Sequence, residues 1–125
     1  MAATARVLVV DDNDGIRELV SDVLSWAGHE TATAHDGVDA LEVLQRWSPD
    51  VIVLDAMMPR MDGLQFARTY RDLPGPHAPI IALTAAHDGP RRAAEMQAAG
   101  FVRKPFSADE LLRLVDRYAG ACASA

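Results

Sequence analysis

The run Val51-Ile52-Val53-Leu54 is unbroken, apolar and mostly β-branched, and it ends abruptly in one carboxylate, Asp55. A run this short reads as a strand covered on both faces, which belongs at the centre of a parallel sheet. Asp55 then stands at the strand's carboxyl end. In open α/β sheets that is the edge where ligands bind and chemistry occurs. Beyond it come Ala56-Met57-Met58-Pro59 and the turn Met61-Asp62-Gly63.

The rest of the chain repeats this alternation. Arg6 to Val10 is a second buried-strand run and ends in Asp11-Asp12-Asn13. Ile16, Leu19, Val20, Val23 and Leu24 then recur with the spacing of one helical stripe, and Gly28 stops that helix. Glu30 to Ala34 is a weaker strand suited to a sheet edge. Asp36 caps a helix through Val38, Leu41 and Leu44. After Gly63 a third helix buries Gly63, Phe66, Ala67 and Tyr70, and Pro74-Gly75-Pro76 closes it. Pro79 to Leu83 is a fourth strand, ending in Thr84. A helix near Pro90 to Ala99 is rich in alanine, so its grip on the sheet should be light. Phe101-Val102-Arg103 is a short last strand, ending in Lys104-Pro105. Ser107 and Glu110 form a capping box for a final helix that buries Leu111, Leu114, Val115 and Tyr118. Trp26 and Trp47 fall at helix ends, as partly buried anchors. Five βα units in succession predict a parallel sheet with helices on both faces and right-handed crossovers.

With 125 residues, the chain suits one domain, residues 1–125, with no output domain. A net charge of −6 argues against direct nucleic-acid binding, which needs a basic face. Cys122 is the single cysteine, so no disulfide framework or thiol-rich metal site is expected, and a cytoplasmic setting fits. The apolar run Val7 to Val10 is far too short for a membrane span.

The strand tails carry the functional argument. They present Asp11 and Asp12, Asp55, Thr84 and Lys104. In the doubly wound order 2-1-3-4-5 these strands are neighbours and the side chains converge at one edge, although spacing alone does not fix that order. Like charges about 5 Å apart at an effective dielectric of ~20 repel by roughly 3 kcal/mol per pair, so three carboxylates there must take up protons or bind a cation. Lys104 supplies one positive charge. An all-oxygen site with few protein ligands suits Mg²⁺ better than Zn²⁺. The histidines, His29, His35, His77 and His87, have no ligand spacing. A carboxylate can attack phosphorus when charge on the transferring oxygens is neutralised, and Asp55 on its central strand is the natural nucleophile.

The set VLVVDDN, VIVLDAMMPRMDG, IIALTA and FVRKPF, in that order, resembles the receiver domain of two-component response regulators from Arg6 to Ala119. The resemblance implies a flavodoxin-like (βα)₅ fold with order 2-1-3-4-5. It implies that Asp55 is the phosphoacceptor and that Asp12 is a direct Mg²⁺ ligand. Asp11 would act mostly through water, and the Met57 backbone carbonyl would be a further ligand. Thr84 and Lys104 would hold the phosphoryl group, Phe101 would be the switch aromatic, and Lys104-Pro105 would be a cis peptide. The donor would be a sensor histidine kinase or histidine phosphotransfer protein, and the output an unknown downstream protein. Such a chain is a switch and not a metabolic enzyme.

Plainer readings stand beside these. The Asp11-Asp12 pair could cap a helix, Asp55 start a turn, Thr84 be an N-cap and Lys104 an exposed charge. Met57, Met58 and Met61 read as core or loop packing. Phe101 follows Gly100 directly, where receivers commonly carry a small residue and two acids before the aromatic. Helix-four-mediated pairing is therefore not expected, and the chain should be a monomer or weak dimer. Met57 and Ala86 carry no polar group to orient water, so a long-lived aspartyl phosphate is expected. The rivals are a non-phosphorylated pseudo-receiver, a haloacid-dehalogenase-like phosphatase and a flavin-binding protein. The phosphatase would want a second Asp where Met57 stands, and flavin would want a phosphate-cradling loop after strand one.

Overall fold

A computed structural model describes residues 4–58, 61–84 and 89–123. Its strands are β1 (Arg6–Val10), β2 (Glu30–Ala34), β3 (Val51–Asp55), β4 (Ile80–Thr84) and β5 (Gly100–Arg103). They form one parallel sheet in the order β2-β1-β3-β4-β5, the flavodoxin-like arrangement. The helices are α1 (Asp14–Trp26), α2 (Gly37–Leu44), α3 (Gly63–Asp72), α4 (Gly89–Glu95) and α5 (Ala108–Ala123). None of the described helices is long and apolar enough to cross a membrane.

Strand alternation divides the core into two layers. Leu8, Val10, Ile52, Leu54, Ile80 and Ala82 face α2, α3 and α4, whereas Val7, Val9, Val51, Val53, Ile81 and Leu83 face α1 and α5. Every residue of β3 and β4 is buried. This explains why those runs lack the polar positions of a one-sided strand. The weaker, more polar β2 lies at one edge and short β5 at the other.

Helix starts are written in local chemistry. Asn13 accepts the Ile16 N–H, Asp36 accepts the Asp39 N–H, and Ser107 Oγ accepts the Glu110 N–H at 3.2 Å. Asp62 and Gln65 form a complete capping box at α3. These caps supply acceptors for N–H groups that have no partner inside the first helical turn. Gly28 follows α1 at φ +98, a conformation that side chains with a Cβ avoid.

Three expectations need correction. The buried face of α2 is Gly37, Ala40 and Val43, while Val38 is exposed and Leu41 and Leu44 pack only partly. Met61 lies so close to Gly37 that a Cβ there would meet its side chain at 2.6 Å, so small residues face inward. In α1 the stripe runs through Val20 and Leu24, leaving Leu19 exposed and Trp26 88% exposed rather than anchored. Met57 is likewise exposed, although Met58 is buried and Met61 partly so. Smaller differences are that β4 runs one residue further, to Thr84, and that α4 is short, burying Gly89 and Ala93.

Beyond the layers, His29 is buried where β1, α1, β2 and α5 meet. Its Nδ1 accepts the Ala5 N–H at 3.1 Å, and its Nε2 lies 3.1 Å from Asp116 Oδ1. Accepting at Nδ1 fixes the proton on Nε2, which donates to the carboxylate.

Gly63 ties α3 to the end of β3. A Cβ at this position would stand 2.7 Å from the Asp55 carbonyl oxygen and 2.9 Å from Ala56 Cα, both backbone atoms. Alanine ordinarily stabilises a helix by about 0.5–1 kcal/mol over glycine. Gly63→Ala is instead expected to destabilise by about 2 kcal/mol through overpacking, read as a lower urea midpoint. An unchanged or raised midpoint would show that the backbone yields.

Candidate functional site

The strand register brings the polar tails level. Val10 pairs with Leu54, Asp55 with Leu83, and Thr84 with Arg103, so the residues just beyond each strand emerge at one edge. Asp11, Asp12 and Asp55 each place a carboxylate oxygen within 4.8 Å of the others. Asp11 and Asp55 are buried and Asp12 is exposed.

Lys104 reaches in from the end of β5. Its Nζ lies 3.1 Å from Asp11 Oδ2 and 3.4 Å from Asp55 Oδ1, and it is the one cation in contact with these carboxylates among the described residues. Its own backbone N–H donates to the Thr84 carbonyl at 2.8 Å, which locks the β4 and β5 tails together. The Lys104-Pro105 peptide is cis.

Backbone donors hold the carboxylates in place. The Asn13 N–H donates to Asp11 Oδ1 at 2.9 Å, and the Met57 N–H to Asp55 Oδ1 at 3.2 Å. Arg17 Nη1 donates to the Asp11 carbonyl at 2.9 Å, steadying the turn into α1. Asn13 and Arg17 were not singled out from sequence. Nothing in residue spacing marks an arginine for a carbonyl six positions earlier.

The cluster is electrostatically strained. Burial, then the Asp11 charge, raises the Asp55 carboxyl from 3.8 to about 7, while Lys104 and the Met57 N–H pull the other way, and a hydrogen bond with Asp12 adds to the rise. One ammonium does not balance three carboxylates. A second cation, or a proton, is required for them to share this space.

Thr84 Oγ1 is buried and has no hydrogen-bond partner among the described residues. A buried hydroxyl left without a partner is uncommon and calls for a structural or functional reason. Beside it lies Phe101: a Cβ on Gly89 would stand 2.8 Å from Phe101 Cε2 and 3.1 Å from Thr84 Oγ1, so ring and hydroxyl both pack closely against Gly89, where no side chain fits. Phe101 is partly buried against the α2–α4 layer. Ala86 and His87, like Cys122's side chain, lie outside the described residues.

The sequence profile of the response regulator receiver domain matches residues 7–116. The response regulator MprA of Mycobacterium ulcerans is 43% identical over 111 residues, covering 87% of this chain and 47% of that protein. Its counterpart from Mycobacterium tuberculosis H37Rv is 42% identical over 111 residues, with 87% and 48% covered. This chain thus spans about half the length of these curated relatives. Among solved structures, the chemotaxis response regulator CheY4 of Vibrio cholerae superposes with a TM-score of 0.84 at 36% identity, covering 93% of this chain and 99% of that one. An α/β fold of this order with an acidic cluster at its carboxyl edge defines the CheY-like class of signalling domains. The chain belongs to the response regulator receiver domain family of two-component systems.

Proposed function

We propose that Asp55 accepts a phosphoryl group from a phosphohistidine on a sensor histidine kinase or histidine phosphotransfer protein, in the cytoplasm, and that residues 1–125 act as one receiver unit. The observation that carries this reading is the pairing of a largely buried, cation-deficient carboxylate cluster with a Thr84 hydroxyl that has no partner among the described residues. Those are the complements of a phosphoryl group and of the metal that escorts it.

Asp11, Asp12 and Asp55, with the Met57 backbone carbonyl, would hold Mg²⁺, which the all-oxygen donor set and the charge deficit fit. When bound, the ion neutralises charge on the phosphoryl oxygens. An Asp55 oxygen forms the new bond to phosphorus as the P–N bond of the phosphohistidine breaks, and the electron pair returns to the departing imidazole nitrogen. Lys104, already 3.4 Å from Asp55, pairs with one phosphoryl oxygen, and the Thr84 hydroxyl donates to another. Thr84 moving toward the phosphoryl group would vacate the space beside Gly89, into which Phe101 can turn. The short α4, burying only Gly89 and Ala93, then shifts between two populated states. The chain is a switch that assists its own modification and turns over no metabolite.

The test is intact-protein mass after incubation with acetyl phosphate and Mg²⁺. One added phosphoryl group is expected, absent with EDTA and absent in Asp55→Asn. Failure to form the adduct, together with failure to bind beryllofluoride and Mg²⁺, would leave the chain a pseudo-receiver that signals by binding alone.

A further inference from the structure

The end of the sheet opposite the carboxylate cluster holds a cavity of about 600 Å³. It opens between the loop from α2 to β3 and the loop from α3 to β4, where Asp50 directly precedes β3 and Ala78 stands just before β4. Strand β3 therefore carries Asp55 at one end and meets this cavity at the other. Sites that enclose small organic ligands have volumes of roughly 300–1,000 Å³.

Three aromatic side chains line the cavity: Trp47, Tyr70 and His77. Tyr70 is buried, stacks on Phe66 with ring centres 5.8 Å apart, and meets the His77 ring edge-on at 5.0 Å. Its hydroxyl accepts the Ala78 N–H at 2.7 Å, and His77 Nε2 donates to the Leu73 carbonyl at 2.7 Å, so both rings are tied to the α3–β4 loop. Donation at Nε2 leaves Nδ1 of the neutral imidazole as an acceptor. Pro74 and Pro76 stiffen the same loop. Trp47 is braced from β1, with the Arg6 guanidinium 5.6 Å from its ring centre. Walls held in place before a ligand arrives lower the ordering cost of binding.

The charge of the lining is one-sided. Among the described residues no lysine or arginine borders the cavity, and Asp50 is its one carboxylate. Asp50 Oδ2 accepts the Arg6 N–H at 2.9 Å, which sets its position, while the Arg6 guanidinium pairs with Glu30 at 3.3 Å. Phosphates and carboxylates find no cation in this lining. A positively charged ligand finds Asp50, His77 Nδ1 and aromatic ring faces, which attract cations.

We propose that this cavity binds a flat aromatic amine, with its ring system against Trp47, Tyr70 and His77 and its ammonium group at Asp50. A cleft between α1 and α5 also joins a tryptophan to acids, Trp26 with Asp22 and Asp109, but Trp26 is 88% exposed and no second aromatic ring lines that cleft.

The experiment titrates the full chain, labelled with nitrogen-15 for NMR, with tryptamine. Indole-3-propionate, which has the same ring and the opposite charge, and butylamine, a cation without a ring, are the comparison arms. Tryptamine is expected to shift the Trp47 indole N–H and the amides of Ser48, Asp50, His77 and Ala78, and to bind roughly tenfold more tightly than either comparison compound. Asp50→Asn keeps an oxygen for the Arg6 N–H and removes the charge, so it should cut the preference over indole-3-propionate to about twofold. Trp47→Ala should weaken tryptamine roughly tenfold. Shifts confined to Trp26 and Leu112, equal affinity for indole-3-propionate, or a preference unchanged in Asp50→Asn would overturn the proposal.

Discussion

Asp55→Asn is expected to make the metal-free protein more stable at about pH 8, by on the order of 3 kcal/mol. The carboxyl of Asp55 is raised from 3.8 to about 7, first by burial and then by Asp11. Between those two values the folded protein binds more protons at this site than the unfolded chain, so stability falls as pH rises across that window. Above about pH 7 the penalty is fully present; below about pH 4 it is absent in both states. Asparagine is close in shape and carries no charge, so the variant should show a flatter stability profile from about pH 4 to 7. Chemical denaturation at several pH values, with EDTA present, measures it. Adding Mg²⁺ should close the gap by stabilising the natural protein more than the variant. A variant that is less stable at about pH 8 would mean that the Lys104–Asp55 contact outweighs the burial of charge.

Lys104→Met is expected to act in the opposite direction and more strongly, at roughly 3–5 kcal/mol of destabilisation at about pH 8. Asp11 is fully buried and has Lys104 Nζ at 3.1 Å, so removal of the ammonium leaves a buried charge without its counterion. Loss of Lys104 also removes a lowering influence on Asp55, whose carboxyl rises further. The damage should therefore shrink as pH falls toward 5 and protons enter the cluster, and Mg²⁺ should recover part of it. The two substitutions share one network, so their effects will not add, and Asp55→Asn should rescue Lys104→Met in part. Strict additivity in the double variant would sink the shared-network reading.

How well sequence anticipated structure depended on which side chains did the packing. The α3 face of Gly63, Phe66, Ala67 and Tyr70 was legible because two large residues, Phe66 and Tyr70, stand one helical turn apart after a defined start. In α2 the inward residues are small, since Met61 crowds Gly37, and small residues leave little trace in an apolar pattern. Trp26 misleads for the converse reason: a large apolar residue at the last position of α1 lies beyond the stripe that reaches the sheet. At the site, strand tails were enough to bring Asp11, Asp12, Asp55 and Lys104 together in outline. The like-charge part of the raised Asp55 titration was readable from those tails, but the larger part from burial, and the Thr84 hydroxyl without a partner among the described residues, were not, because both arise from packing by residues distant in the chain.

Short β5 forms one margin of the sheet, and its flanks are already occupied. The carbonyl just before it, Ala99, is taken by the Tyr118 hydroxyl, and soon after it Pro105 has no N–H to offer. A neighbouring chain finds few main-chain groups there on which to lay a sixth strand. Contact at this margin is thereby left to side chains, which single substitutions can retune without inviting the sheet to grow from molecule to molecule.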